Sequence, residues 1–224
     1  MGTPHRIQKT PVYKFDQLSD EAKAKVVERR RWEERYHDWW DAVYDDAISM
    51  AAIMGIEIGK CRGSSETPAI FFRGFSSQGD GACFEGTYSY KKGASKALKS
   101  EAPEFYQEGG KGPWIKQESN AELHEICRAL QEVQRRHFYK LEATVTHRGH
   151  YMHSSCTDIE VSHCDEFYRD LNGDDEVVAQ LLRDFMDWIY SRLEKEDEYL
   201  SSEACVLEQL QGDETEYDED GVEL

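Results

Sequence analysis

Apolar residues recur along this chain at two periods, and the change from one to the other marks out its elements. From Ser19 onward, AKAKVVERRRWEERY and WWDAVYDDAISMAAIM carry apolar side chains at spacings of three and four, with Trp39, Val43, Ala47 and Met50 on one face. That is the pattern of an amphipathic helix with one break. Ser19 supplies the N-cap and Asp20 and Glu21 the first turn, where the helix dipole favours anions; Gly55 supplies the stop. The same period returns behind Ser119 and Glu122, which fit a capping box, through Leu123, Ile126, Cys127, Leu130 and Val133. It returns again behind Asp174, read as a cap, through Val178, Leu182, Phe185, Ile189 and Leu193, with Leu181 and Trp188 widening the face. Shorter helices are expected over GASKALKSEA and SSEACVLEQLQ.

Elsewhere the period is two. VYKF reads as a strand, GIEIG begins another, and TPAIFFRGF and ACFEGTYSY form a hairpin around SSQGDG. In LEATVTHR, Ala143, Val145 and His147 share a face; in TDIEVSH, Ile159, Val161 and His163 do. Residues 103–118, with Pro103, Pro113 and three glycines, read as a loop free to move. GDETEYDEDGVEL lacks a packable face and reads as a disordered or loosely docked tail. Strands flanked by helices without strand-helix alternation predict an α+β fold, a small antiparallel β-sheet flanked by several α-helices. The expected layout is a flexible leader over 1–10, a single domain over 11–211 and an acidic tail over 212–224.

The net charge of −18 opposes attraction to phosphate backbones and anionic membranes, so neither nucleic acid nor a membrane is the expected partner. An acidic surface steers toward basic partners, with imitation of DNA as the extreme form. Six cysteines without C-x-x-C spacing and an N-terminus without an apolar signal region place the chain, as an expectation, in a reducing bacterial cytoplasm.

One window, ATVTHRGHYMHSSCTDIEVSHC, holds four histidines and two cysteines. With a turn near His150 to Ser154, His147 pairs close to residue 157 or 159, leaving His163 roughly 13 to 20 Å away along the strand. These two cannot share a metal. His150 and His153 with Cys156 remain as a candidate zinc site, short of a fourth ligand. A register with Arg148 and Gly149 as a two-residue turn would instead bring His147 beside His150. The default is a hairpin whose tip, with His150, Tyr151 and His153, contacts a partner. No cofactor is expected by default.

SSQGDGACFEG fits neither phosphate-loop spacing, and reads as a turn. Gln78, Asp80 and Glu85 lack a calcium-loop pattern, and Gln78 and Asp80 join the candidate partner contacts. Cys83 or Cys164 with a histidine would make a nucleophile and base, but buried inert thiols are the better reading, as core or surface roles are for His124 and His137. Trp32, Tyr36, Trp39, Trp40 and Tyr44 form an aromatic helical stripe, mostly core, with Trp40 offered to an interface such as a homodimer.

VYKFDQLSDEAKAKV, WWDAVYDDA, GIEIG, IFFRGFSSQGDGACFEGTYSY, LQEVQRRHFYKLEATVTHRGHYMHS and LRDFMDWIYSRLEKEDEYLSSEA resemble phage and prophage proteins that often carry the label "antitoxin of toxin-antitoxin stability system". The resemblance spans about residues 11 to 211 and carries over no catalytic residue. Where this chain has Ser76, an aromatic residue is expected in that family, which implies an exposed position. The resemblance implies a protein that binds and inhibits a host defence or toxin protein, in the manner of an anti-CRISPR or anti-restriction inhibitor or an antitoxin. The alternatives are a metal-binding enzyme or metalloprotein using the His/Cys hairpin, and a structural or accessory phage protein.

Overall fold

The period-two segments pair as antiparallel strands in the computed structural model, which describes residues 11–33, 38–165 and 170–224. Contacts divide the chain into two units, Trp40–Glu194 and a second made from the two ends, Met1–Trp39 with Lys195–Leu224. The class is α+β, as the pattern predicts. Among the described residues no helix is long and apolar enough to cross a membrane.

In the larger unit, α2 (Asp41–Met54) hands over to β1 (Ile56–Ile58) through Gly55 at φ 91°. Only glycine serves there: a Cβ would lie 2.1 Å from the Ser89 carbonyl oxygen. The main sheet orders β1, β4 (Gly86–Ser89), β7 (Leu141–His147) and β8 (Thr157–His163), all antiparallel. Ile56 pairs with Tyr88, Tyr88 with Ala143 and Ala143 with Val161, so one row of inward side chains crosses the sheet. A second, two-stranded sheet joins β2 (Ile70–Arg73) to β3 (Gly81–Phe84). The run ACFEGTYSY is therefore two strands in two sheets, divided at Glu85, rather than one.

Three more helices complete this unit: α3 (Ala94–Glu101), α4 (Glu118–Arg136) and the part of α5 (Asp174–Leu200) up to Glu194. The predicted stripes are buried, Leu123, Ile126, Cys127, Leu130 and Val133 on α4 and Val178, Leu182, Phe185, Ile189 and Leu193 on α5. Each such side chain contributes roughly 1.5–3 kcal/mol by leaving water. Both predicted caps differ. α4 starts at Glu118 behind Gln117, so Ser119 and Glu122 make no capping box, and α5 starts with Asp174 itself. The Asp174 carboxylate instead accepts from Arg136 at 3.0 and 2.7 Å and from His137 Nε2 at 2.7 Å, clamping α4 to α5. Residues 103–118 are a hairpin rather than a loop: β5 (Phe105–Gln107) pairs with β6 (Trp114–Lys116).

Between α4 and β7 the chain turns through Phe138 at φ 54° and Tyr139 at φ 63°. Two bulky residues in the left-handed region cost roughly 1–2 kcal/mol each. Buried Gln134 holds the turn closed, donating to the Leu141 carbonyl and accepting from its N–H.

In the smaller unit, VYKF is not a strand. Tyr13 makes one bridge, to Tyr217, and Phe15–Gln17 form a single 3-10 turn. Ser19 caps α1 (Asp20–Glu33), its Oγ accepting from the Ala22 N–H at 3.2 Å, and Ser202 caps α6 (Glu203–Gly212) in the same way. The acidic tail is ordered. Tyr217 is 1% exposed in a cluster with Phe15, Leu18, Ala22, Val26, Val206 and Leu210. Asp218 accepts from the N–H groups of Asp220 and Val222, and Gly221 (φ 81°) lets that turn lie on Ala22 and Val26. The expected flexible leader over 1–10 lies outside the described residues.

Two outcomes follow from these contacts. Phe138→Gly relieves a strained, 70% exposed residue, so chemical denaturation should show a gain of about 1 kcal/mol, and a loss would mean that the ring packs in the native state. The Arg136 guanidinium, and after it His137, holds the Asp174 carboxyl below the usual carboxylate range. A carboxylate lowered on folding stabilises above its unfolded value and stops doing so as pH falls through its native one. Asp174→Asn should therefore cost about 1 kcal/mol at pH 7. The difference should fade below about pH 4, and a pH-independent difference in denaturation midpoints would contradict this.

Candidate functional site

Two turns meet at one end of the larger unit. The first joins β2 to β3 through GFSSQGD, and its shape rests on Asp80, whose carboxylate accepts from the N–H groups of Ser76 at 2.9 Å and Ser77 at 2.7 Å. Those donors are spent inside the turn, so the segment does not present them to a phosphate. Gln78 is exposed at its crest, as is Ser76. Glu85 does not join Asp80 in a cation site, because its Oε1 accepts from the His147 N–H at 3.1 Å.

The second turn is the tip of the β7–β8 hairpin. Its register is the first of the two the sequence allows: His147 pairs with Thr157 and His163 with Leu141, so the two histidines stand at opposite ends of the ladder. His147 Nε2 donates to the Tyr151 carbonyl at 2.9 Å, folding the tip back on its own strand. His153 Nδ1 accepts from the Ser155 N–H at 3.1 Å and so starts the 3-10 turn Ser154–Cys156.

Glycine lets the two turns touch. A Cβ on Gly79 would lie 2.9 Å from the Tyr151 ring, and one on Gly81 2.9 Å from the His153 Cα. Arg73 Nη1 donates to His150 Nε2 at 3.3 Å, and the Phe71 and His147 rings lie 5.9 Å apart. Phe71 and Arg73 are two apart on β2 and so share a face, which is why both reach the hairpin. The candidate contacts Gln78, Asp80, His150, Tyr151 and His153 are thus brought to one end of the unit. Tyr151 stands out there, 57% exposed.

Trp40 is not at the tip. It packs edge-on against Phe72 at 5.5 Å, and Phe72 stacks on Phe75 at 6.0 Å, which meets Tyr190 at 5.4 Å. Tyr190 Oη donates to the Gly74 carbonyl at 3.0 Å, so this aromatic row supports the base of the first turn. The expected break is present, but α2 starts only at Asp41, so Trp39 and Trp40 precede it and do not share its helical stripe. Tyr36 and the Trp32 side chain lie outside the described residues.

The metal and nucleophile candidates are engaged in other contacts. His150 faces the Arg73 guanidinium, a cation that would repel a metal ion, and His153 is used in its own turn. Among the described residues no group of three or more His, Cys, Asp or Glu is placed to hold a metal. Burial pushes the Cys83 thiol up to about 12, and desolvation with the neighbouring Asp165 carboxylate raises Cys164. Both effects favour the thiol over the nucleophilic thiolate. His124 Nε2 donates to the Ala102 carbonyl at 2.6 Å, and His137 is held by Asp174.

The sequence reading missed Arg73, and missed an open groove of about 430 Å³ lined by Tyr90, Ser95, Arg128, Gln131, Glu132, Arg135 and Tyr139. The spacing of Arg128, Glu132 and Arg135 at i, i+4 and i+7 was the available signal for the groove.

These features define an α+β protein whose exposed chemistry gathers at turns around its sheet. Residues 39–203 match the family described as "Domain of unknown function (DUF8835)", and the chain belongs to that family. The match covers the whole of Trp40–Glu194 and, of the smaller unit, only Trp39 and residues 195–203. No curated protein and no solved structure matches the chain.

Proposed function

We propose that the protein acts by binding, and that the paired turns around Tyr151 engage and block a protein of the bacterial host's defence or toxin machinery in the cytoplasm. The observation that carries this reading is the state of Tyr151. Its ring is exposed, yet it lies against Gly79, and its carbonyl is tied to His147. An aromatic side chain held in place before contact loses little freedom on binding, and tyrosine and arginine, here Tyr151 with Arg73 on the neighbouring His150, are residue types of interface hot spots. The class of partner rests on the resemblance to phage and prophage proteins, and the charge of −18 favours basic targets.

A photo-crosslinking residue placed at 151 tests the surface directly in host cells. The reading predicts one adduct from position 151 that is absent from a probe at exposed Lys99, together with a loss of about tenfold or more in affinity for the purified adduct protein on Tyr151→Ala. Equal labelling from both positions, or unchanged affinity in the variant, would contradict it.

A further inference from the structure

A second surface, independent of the paired turns, lies where α4 passes the end of β4. The Tyr90 and Tyr139 rings lie 4.4 Å apart between centroids and form one wall of the open groove. Arg128, Glu132 and Arg135, at i, i+4 and i+7 on α4, line the groove with Ser95, whose hydroxyl lies 3.7 Å from Cys127 Sγ, and Glu132 also lies 3.9 Å from Arg136. Tyr139 keeps this place although its backbone is held at φ 63°, where a bulky residue is strained and a glycine would be at ease. It is also 45% exposed, so core packing does not account for a tyrosine there. Strain held at an exposed aromatic residue beside a groove is the kind found at ligand sites.

The chemistry of the lining is specific. A tyrosine face takes a planar ring, guanidinium groups take phosphate in paired hydrogen bonds, and a carboxylate between them accepts from sugar hydroxyls. We propose that this groove binds a nucleotide, with its base on the tyrosine wall, its ribose at Glu132 and its phosphate at Arg135. Arg128, at the far end of the stripe, is paired with Glu104 at 3.1 Å. One nucleotide unit of a single strand offers the same chemistry as a free nucleotide. The chain's charge of −18 opposes a polyanion more strongly than a small anion, so the free nucleotide is the expected source.

The test follows amide chemical shifts of the full chain during titration with ADP, adenosine, inorganic phosphate and a dT12 oligonucleotide. The proposal predicts saturable shifts with ADP confined to residues around 90–96 and 128–140, tighter than with adenosine or phosphate alone. It further predicts about tenfold weaker binding in Arg135→Glu and in Tyr139→Ala, with recovery in Tyr139→Phe. Arg135 is exposed, so its variant reports on the ligand and not on folding. Tighter binding of dT12 at the same residues would assign the site to a single strand. Absence of saturable shifts with both ADP and dT12, phosphate binding as tightly as ADP, or affinity unchanged in both loss variants would overturn the proposal.

Discussion

The ladder between β7 and β8 sets everything around it. Seven residue pairs, from Leu141 with His163 to His147 with Thr157, fix which side chains face inward. A slip of one residue would expose Leu141, Ala143 and Val145, all buried, and the lost burial of these three makes the register unambiguous. With that register set, the tip has one place to go: back over its own strand, through His147, and onto the β2–β3 turn. Both candidate surfaces depend on it, because β7 begins two residues after Tyr139 and ends at His147, whose ring holds the Tyr151 carbonyl. Its seven residues separate the two by about 20 Å.

Each surface is built at some cost to stability. At the tip the cost is in glycine: Gly79 and Gly81 give up side chains so that the tip can approach within van der Waals contact. At the groove the cost is strain, at Phe138 and Tyr139. Asp80, Gln134 and Asp174 then hold these segments with hydrogen bonds to backbone or between helices. Polar side chains whose residue types invite catalytic readings are thus spent on shape, and the exposed rings and guanidinium groups are left for contact.

Local periodicity is why so much of the fold was legible. The stripes on α4 and α5 and the Gly55 stop each follow from residues close in sequence, while the β7–β8 pattern left two registers open, of which the structure adopts the first. Geometry along one strand also sufficed to separate His147 from His163. What stayed hidden needed contacts distant in sequence: that Arg73 would meet His150, that Asp174 would serve Arg136 rather than its own helix, and that ACFEGTYSY would divide between two sheets. The tail misled for a different reason. Its acidic composition outweighed Tyr217 and Gly221, the two residues that dock it. Phe138 and Tyr139 gave no signal at all, since their residue types argue against the backbone they adopt.

The central claim is that Tyr151 is held in position before any partner arrives. Proton NMR of the free protein measures this directly. The account predicts cross-relaxation between the Tyr151 ring and the Gly79 α-protons, with those protons displaced from random-coil positions by the ring current. A Tyr151 ring with averaged, random-coil shifts and no contact to Gly79 would contradict it.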